Sequence, residues 1–177
     1  MSLAIAILLV MGAALPDALT LDVDREPAAV DVGFRLVTPL PEEMAAAVAS
    51  GAETRLVYPL RVKAKRRGWW DRRLWSGELV TIVAFDPVTG RFRCEVILDG
   101  VIIESGEAES IEEAHNWLTT PPPIRIELPE ARRDAILKVR VRVIYSSGTT
   151  WLIFPTQDAS AWAETILEPL AEPAETD

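Results

Sequence analysis

The chain reads as mainly β: an antiparallel β-sandwich or partly closed barrel with two or three short helices. Three features predict this. Apolar side chains recur at every second position around Val30–Leu36, Leu56–Ala64, Phe92–Leu98 and Leu137–Tyr145, the period of a strand with one buried face. Turn-forming residues punctuate these runs at close spacing, as in Asp86-Pro87-Val88-Thr89-Gly90 and Asp99-Gly100. Helical periodicity is confined to short stretches between strands.

Composition bounds the function. With 177 residues, 49% apolar and 25% charged, the chain is long enough for one domain with a real core. A net charge of −9 argues against nucleic acid as partner, because phosphate affinity comes from Lys and Arg. The cations are nonetheless concentrated: Arg61, Lys63, Lys65, Arg66, Arg67, Arg72 and Arg73 fall within thirteen positions. Glu164, Glu168, Glu172, Glu175 and Asp177 crowd the other end, so the chain is expected to be a charge dipole. Cys94 is the only cysteine and His115 the only histidine, which rules out an intramolecular disulfide and a cysteine zinc site.

In chain order, the apolar run Leu3–Leu15 is too short to span a bilayer but fits a signal-peptide core. Gly12 and Ala14 precede a cleavage point at Leu15. Residues 1–14 are therefore read as a signal peptide, with an uncleaved N-terminal anchor or a buried first strand as alternatives, and residues 19–156 as a single β-rich domain. Thr20–Asp24 is a short strand, and Val30, Val32, Phe34 and Leu36 form the buried face of the next. Pro41-Glu42-Glu43 opens a short helix with carboxylates at its positive end, Met44, Ala47 and Val48 on one face and Gly51 as its stop.

From Arg55 a strand turns Leu56, Tyr58, Leu60, Val62 and Ala64 inward, and Pro59 makes it an edge or puts a break there. Leu74–Phe85 is apolar enough for a strand buried on much of both faces. Asp99-Gly100 marks a two-residue hairpin between the strand of Phe92, Cys94, Val96 and Leu98 and that of Val101–Glu104. Ser110 and Glu113 cap a helix through Leu118, with Ile111, Ala114, Trp117 and Leu118 as its buried stripe. Ile124–Leu128 returns to sheet, Ile136–Tyr145 is one long strand, Ser146-Ser147-Gly148 turns the chain, and Thr149–Phe154 pairs back. Residues 157–177 are read as a short helix, Ala159–Leu167, and an acidic tail.

The chemically unusual stretch is the hairpin tip, where Arg66, Arg67, Trp69, Trp70, Asp71, Arg72 and Arg73 form the candidate binding surface. Indole suits a headgroup layer or stacks on a ligand, and guanidinium pairs with phosphate. The structural alternative is one tryptophan packed on the core end and arginines that keep the hairpin soluble. Elsewhere the plain readings are favoured. Cys94 is a buried inert thiol beside Phe92 and Val96, His115 has no nucleophile motif near it, and Trp75, Trp117 and Trp151 are core. Asp22, Asp24, Asp31, Glu78, Glu95 and Glu104 are surface carboxylates rather than the acid and base of a hydrolase. Ser146–Thr150 lacks the lysine of a phosphate loop. No catalytic, metal or cofactor-binding residue is assigned, and no enzyme activity is expected.

Several of these residues together carry a family resemblance. The alanine-rich helix ending in Gly51, Tyr58-Pro59-Leu60, Arg67-Gly68-Trp69-Trp70-Asp71, Gly90-Arg91-Phe92-Arg93 and Ser110-Ile111-Glu112-Glu113-Ala114 resemble the domain of unknown function 4390, over about residues 19–156. The resemblance implies a bacterial exported or membrane-anchored protein with no established activity, periplasmic in location. In many proteobacteria such proteins are encoded near an envelope sensor histidine kinase. The function expected is a non-enzymatic envelope domain that binds another protein, such as that kinase, in an accessory role. The alternative is a β module that uses the Trp/Arg tip for lipid, a membrane surface or a small anionic ligand.

Overall fold

The computed structural model describes residues 18–66, 70–128, 135–146 and 158–170. The N-terminal apolar run, Arg67 and Trp69 of the tip, the Ser147–Thr150 part of the turn, the strand at Thr149–Phe154 with Trp151, and the end of the acidic tail lie outside these residues. Two antiparallel sheets face each other, so of the two architectures left open by the sequence the molecule is the sandwich-like one. The elements in order are β1 (Leu19–Arg25), β2 (Ala29–Leu36), α1 (Glu42–Ala49), β3 (Thr54–Ala64), β4 (Arg72–Asp86), β5 (Arg91–Leu98), β6 (Val101–Ala108), α2 (Ile111–Thr119), β7 (Ile124–Glu127), β8 (Leu137–Val141), β9 (Ile144–Ser146), β10 (Asp158–Ala159) and β11 (Ala163–Leu167).

The small sheet has the order β1-β2-β7. The large sheet runs β6-β5-β4-β3, then β8 and β9 end to end along β3, with β11 on β8 and β10 on β9. Alternation decides what each face does. Val30, Val32, Phe34 and Leu36 of β2 meet Leu56, Tyr58, Leu60 and Val62 of β3 in one buried cluster, with the Phe34 and Tyr58 rings 4.9 Å apart. α2 packs on the inner face of β4, β5 and β6 and touches α1, so helices cover the part of the large sheet away from the small one. The two sheets approach at the β1 and β11 edges, where the Arg25 guanidinium donates to the carbonyls of Ala135 (2.8 Å) and Glu168 (2.6 Å).

Local chemistry set several boundaries as expected. Gly51 stands in the left-handed region at φ 79°, and the bonds Gly51 N–H to Val48 O and Ala52 N–H to Ala47 O close α1 as a Schellman motif. Asp99 (φ 48°) and Gly100 (φ 83°) make the β5–β6 hairpin a two-residue turn with both centres positive. Ser110 accepts from Glu113 N–H at 3.1 Å, while the Glu113 carboxylate reaches Glu109 N–H at 2.8 Å, one residue beyond the usual capping-box partner.

Three expectations are corrected. β4 is buried on one face only: Leu79, Thr81 and Val83 are enclosed while Val80, Ile82 and Ala84 are half-buried on the outer side, since nothing described packs there. Ile136–Tyr145 is broken into β8 and β9 by Pro59. The Pro59 carbonyl accepts from Arg142 N–H at 3.3 Å, so its missing N–H faces the same neighbour and the ladder lapses at Arg142–Val143. β3 itself runs unbroken through Pro59 and is central, not an edge; the break falls on the facing strand. Ala159–Leu167 is not a helix but the strands β10 and β11, because the unpaired side of β8 and β9 offers a ladder and Ala163 faces inward to be buried.

Candidate basic face and hairpin tip

Strand register builds a cationic face on the outer side of the large sheet. Arg61 and Lys63 alternate with buried Leu60 and Val62 on β3, and Lys138 and Arg140 alternate with buried Leu137, Val139 and Val141 on β8. The pairings Arg61↔Arg140, Lys63↔Lys138 and Lys63↔Arg73 then place these cations side by side on one surface. The face continues into the β3–β4 tip. Arg66, Arg72 and Arg73 are exposed, Asp71 is half-buried, and Trp70 is 93% exposed, so the tip does present an indole to its surroundings rather than to the core. Trp75, one turn of the ladder further in, is only partly buried, and its ring crosses Gly77. A Cβ at Gly77 would lie 2.5 Å from that ring, which makes the position a close-approach glycine.

The residue missed in the sequence is Trp162. Its ring lies under three guanidiniums, with the Arg61, Arg140 and Arg142 carbons 4.7, 4.9 and 4.8 Å from its centroid. The signal was present: Trp162, Glu164 and Ile166 alternate with Ala163, Thr165 and Leu167, the outward and inward sets of a strand. Glu164 answers part of the charge, meeting Lys138 at 2.7 Å and Arg140 at 3.2 Å. The expected charge dipole is thereby modified, since the first acid of the C-terminal group folds back onto the basic face.

The remaining candidates do not converge with it. Cys94 is fully buried on β5, and burial, with the Glu113 carboxylate adding, pushes its thiol up to about 11. It is an inert core side chain at neutral pH. His115 is exposed on α2 beside Glu112. Trp117 is partly buried against the core. Of the six carboxylates singled out, Asp31 is held by Arg125 at 3.1 Å, which also binds Glu26 and Glu127 on the small sheet's outer face. Among the described residues no three or more His, Cys, Asp or Glu side chains are grouped to hold a metal ion. A groove of about 420 Å³ on the small sheet, lined by Thr20, Asp22, Gly33, Arg35, Pro121 and Pro123 among others, holds one carboxylate, Asp22, and no second carboxyl to pair with it.

The comparison with family models matches residues 18–150 to the domain of unknown function DUF4390. The chain belongs to that family. No curated protein matches it, and neither does any solved structure. The matched range takes in the tip and β1 through β9 but stops short of β10 and β11, so Trp162 and Glu164 lie beyond it.

Proposed function

We propose that this DUF4390 chain is a non-enzymatic domain of the bacterial cell envelope, exported or anchored by its N-terminal segment, that docks on the anionic phospholipid surface. The observation that carries the reading is the continuity of the outer cationic face with a tip that projects Trp70. Arg61, Lys63, Arg73 and Lys138 supply charge on one plane, and an indole at the end of a hairpin has both the apolar body and the N–H that favour a headgroup layer. The overall charge of −9 works with this arrangement, because like-charge repulsion disfavours every other face toward the same surface.

The test is flotation with vesicles. Phosphatidylglycerol vesicles are expected to retain the protein at low ionic strength, and phosphatidylcholine vesicles not to. Each basic residue near such a surface contributes about 1 kcal/mol, so Arg72→Ser with Arg73→Ser should weaken retention by roughly 10–30-fold. Trp70→Ser should weaken it further, and ~0.5 M salt should abolish it. Equal retention by neutral vesicles, or none by anionic ones at low salt, overturns the proposal.

A second reading, a protein partner such as an envelope sensor kinase, is favoured by one specific observation. The register Ile102↔Ile97↔Val80↔Val57↔Ile144 lays an apolar row across five strands of the same outer surface. It ends at the edge of β6, unpaired among the described residues, with Ile102 57% exposed, an arrangement open to strand addition.

A further inference from the structure

Four cations on the outer sheet face, Arg61, Lys138, Arg140 and Arg142, share one carboxylate among the described residues, and Glu164 spends both its oxygens on Lys138 and Arg140. Arg61 and Arg142 are left with an indole and no anion. Both guanidinium carbons lie within 5 Å of the Trp162 centroid, so the two cations are gathered around one ring. Arg142 is the more telling of the two. Its Nε is enclosed without a hydrogen-bond partner, as is that of Arg140, but Arg140 Nε lies 3.2 Å from the Glu164 carboxylate whereas Arg142 meets no carboxylate among the described residues. A guanidinium over an indole face keeps terminal N–H donors that it can offer to an anion, and paired N–H donors match the oxygens of a phosphate. The site joins β3 to the breaks between β8 and β9 and between β10 and β11. Pro59 opens the ladder at Arg142, and the break between β10 and β11 brings Trp162 opposite it, one position beyond the Ala163↔Val141 pair.

We propose that Arg61, Arg142 and Trp162 form a seat for one phosphate group, that of a phospholipid headgroup. The inference rests on the surface reading above and gives it a specific contact: the tip and the flat cationic face supply approach and charge, and the seat supplies a saturable one-to-one site. Phosphate is the fitting chemistry because the paired N–H donors of a guanidinium match phosphate oxygens, and the oxygens of one phosphate can accept from two guanidiniums at once.

The test follows the arginine Nε–Hε resonances of the full chain during titration with inorganic phosphate, against sodium chloride at matched ionic strength. Arg61 and Arg142 are expected to shift along a saturating curve that chloride does not reproduce. Arg142→Gln and, separately, the exposed Arg61→Gln should each raise the half-saturation concentration by about tenfold or more. Dihexanoyl phosphatidylglycerol below its micelle concentration should compete. Linear shifts matched by chloride overturn the seat, and saturation by phosphate without competition from the short-chain lipid overturns its assignment to a headgroup. Flotation separates this from the parent reading. If the seat fails while Arg142→Gln still floats on phosphatidylglycerol vesicles, surface docking stands without it; if wild type does not float, docking itself falls, whatever phosphate does.

Discussion

At the scale of single residues, Tyr58 shows how a polar group is made part of the core. Its hydroxyl donates to the Leu118 carbonyl at 2.8 Å, and the Thr81 hydroxyl donates to the same oxygen at 3.0 Å. Leu118 lies in the last turn of α2, where carbonyls have no helical partner, so the sheet supplies the donors that the helix lacks. Burial drives the Tyr58 pKa well upward, which keeps the phenol protonated and donating. Either Tyr58→Phe or Thr81→Val should cost about 1 kcal/mol in urea unfolding, because one donor remains. The double variant should cost more than the sum by roughly another 1 kcal/mol, since a buried carbonyl is then orphaned. Strict additivity would mean that the carbonyl finds water. The inward direction of Tyr58 was legible from alternation alone. Its acceptor was not, because periodicity says which face a residue takes and nothing about which helix end arrives there.

At the scale of elements, the short apolar stretches divide the legible from the illegible. β2, β3 and β5 were readable because four or five alternating apolar positions admit no helical period. Ala159–Leu167 was misread because alanine, tryptophan and leucine at that spacing fit a helix face as well as a strand. What decides between them is the open side of β8, a partner distant in sequence. Trp162, and with it the arginine platform, went unseen because the alternation of residues 162–167 was outweighed by the helical reading. The small sheet carries a pH prediction of its own. Arg125 on β7 holds Glu26 in the β1–β2 turn, Asp31 on β2 and Glu127, and its hydrogen bond to Glu26 lowers that carboxyl's pKa below the usual 4.5. A lowered folded-state value means that the unfolded chain binds the proton more readily. The contribution is therefore present above about 4.5 and lost as pH falls through the folded value. Melting curves of wild type and Arg125→Gln should differ near neutral pH and converge in acid. A gap that persists unchanged to low pH would assign the effect of Arg125 to packing rather than charge.

For the molecule as a whole, the C-terminal strands turn a half-open sheet into a sandwich with one closed side. The sequence suggested a domain ending near residue 156, but β10 and β11 lengthen the large sheet and bring it against β1. Arg25 fastens that seam by donating across it to the carbonyls at the end of β11 and beyond. Ala163 is buried there and Leu167 packs on the core, so removal of this segment strips apolar cover from β8 and exposes a fresh ladder. A chain ending at residue 157 should lose at least ~2 kcal/mol of stability by the apolar area uncovered, and should self-associate through the bared β8 edge. Urea titration and sedimentation check the two effects separately. The truncation also removes Trp162 and Glu164 while leaving the tip and the cations of β3 and β8, so vesicle retention of whatever fraction stays monomeric reads out the surface without its C-terminal part. Retention at the full level would show that the C-terminal strands serve the fold and not the surface, and loss at constant monomer fraction would join the closure of the sandwich to the assembly of the cationic face.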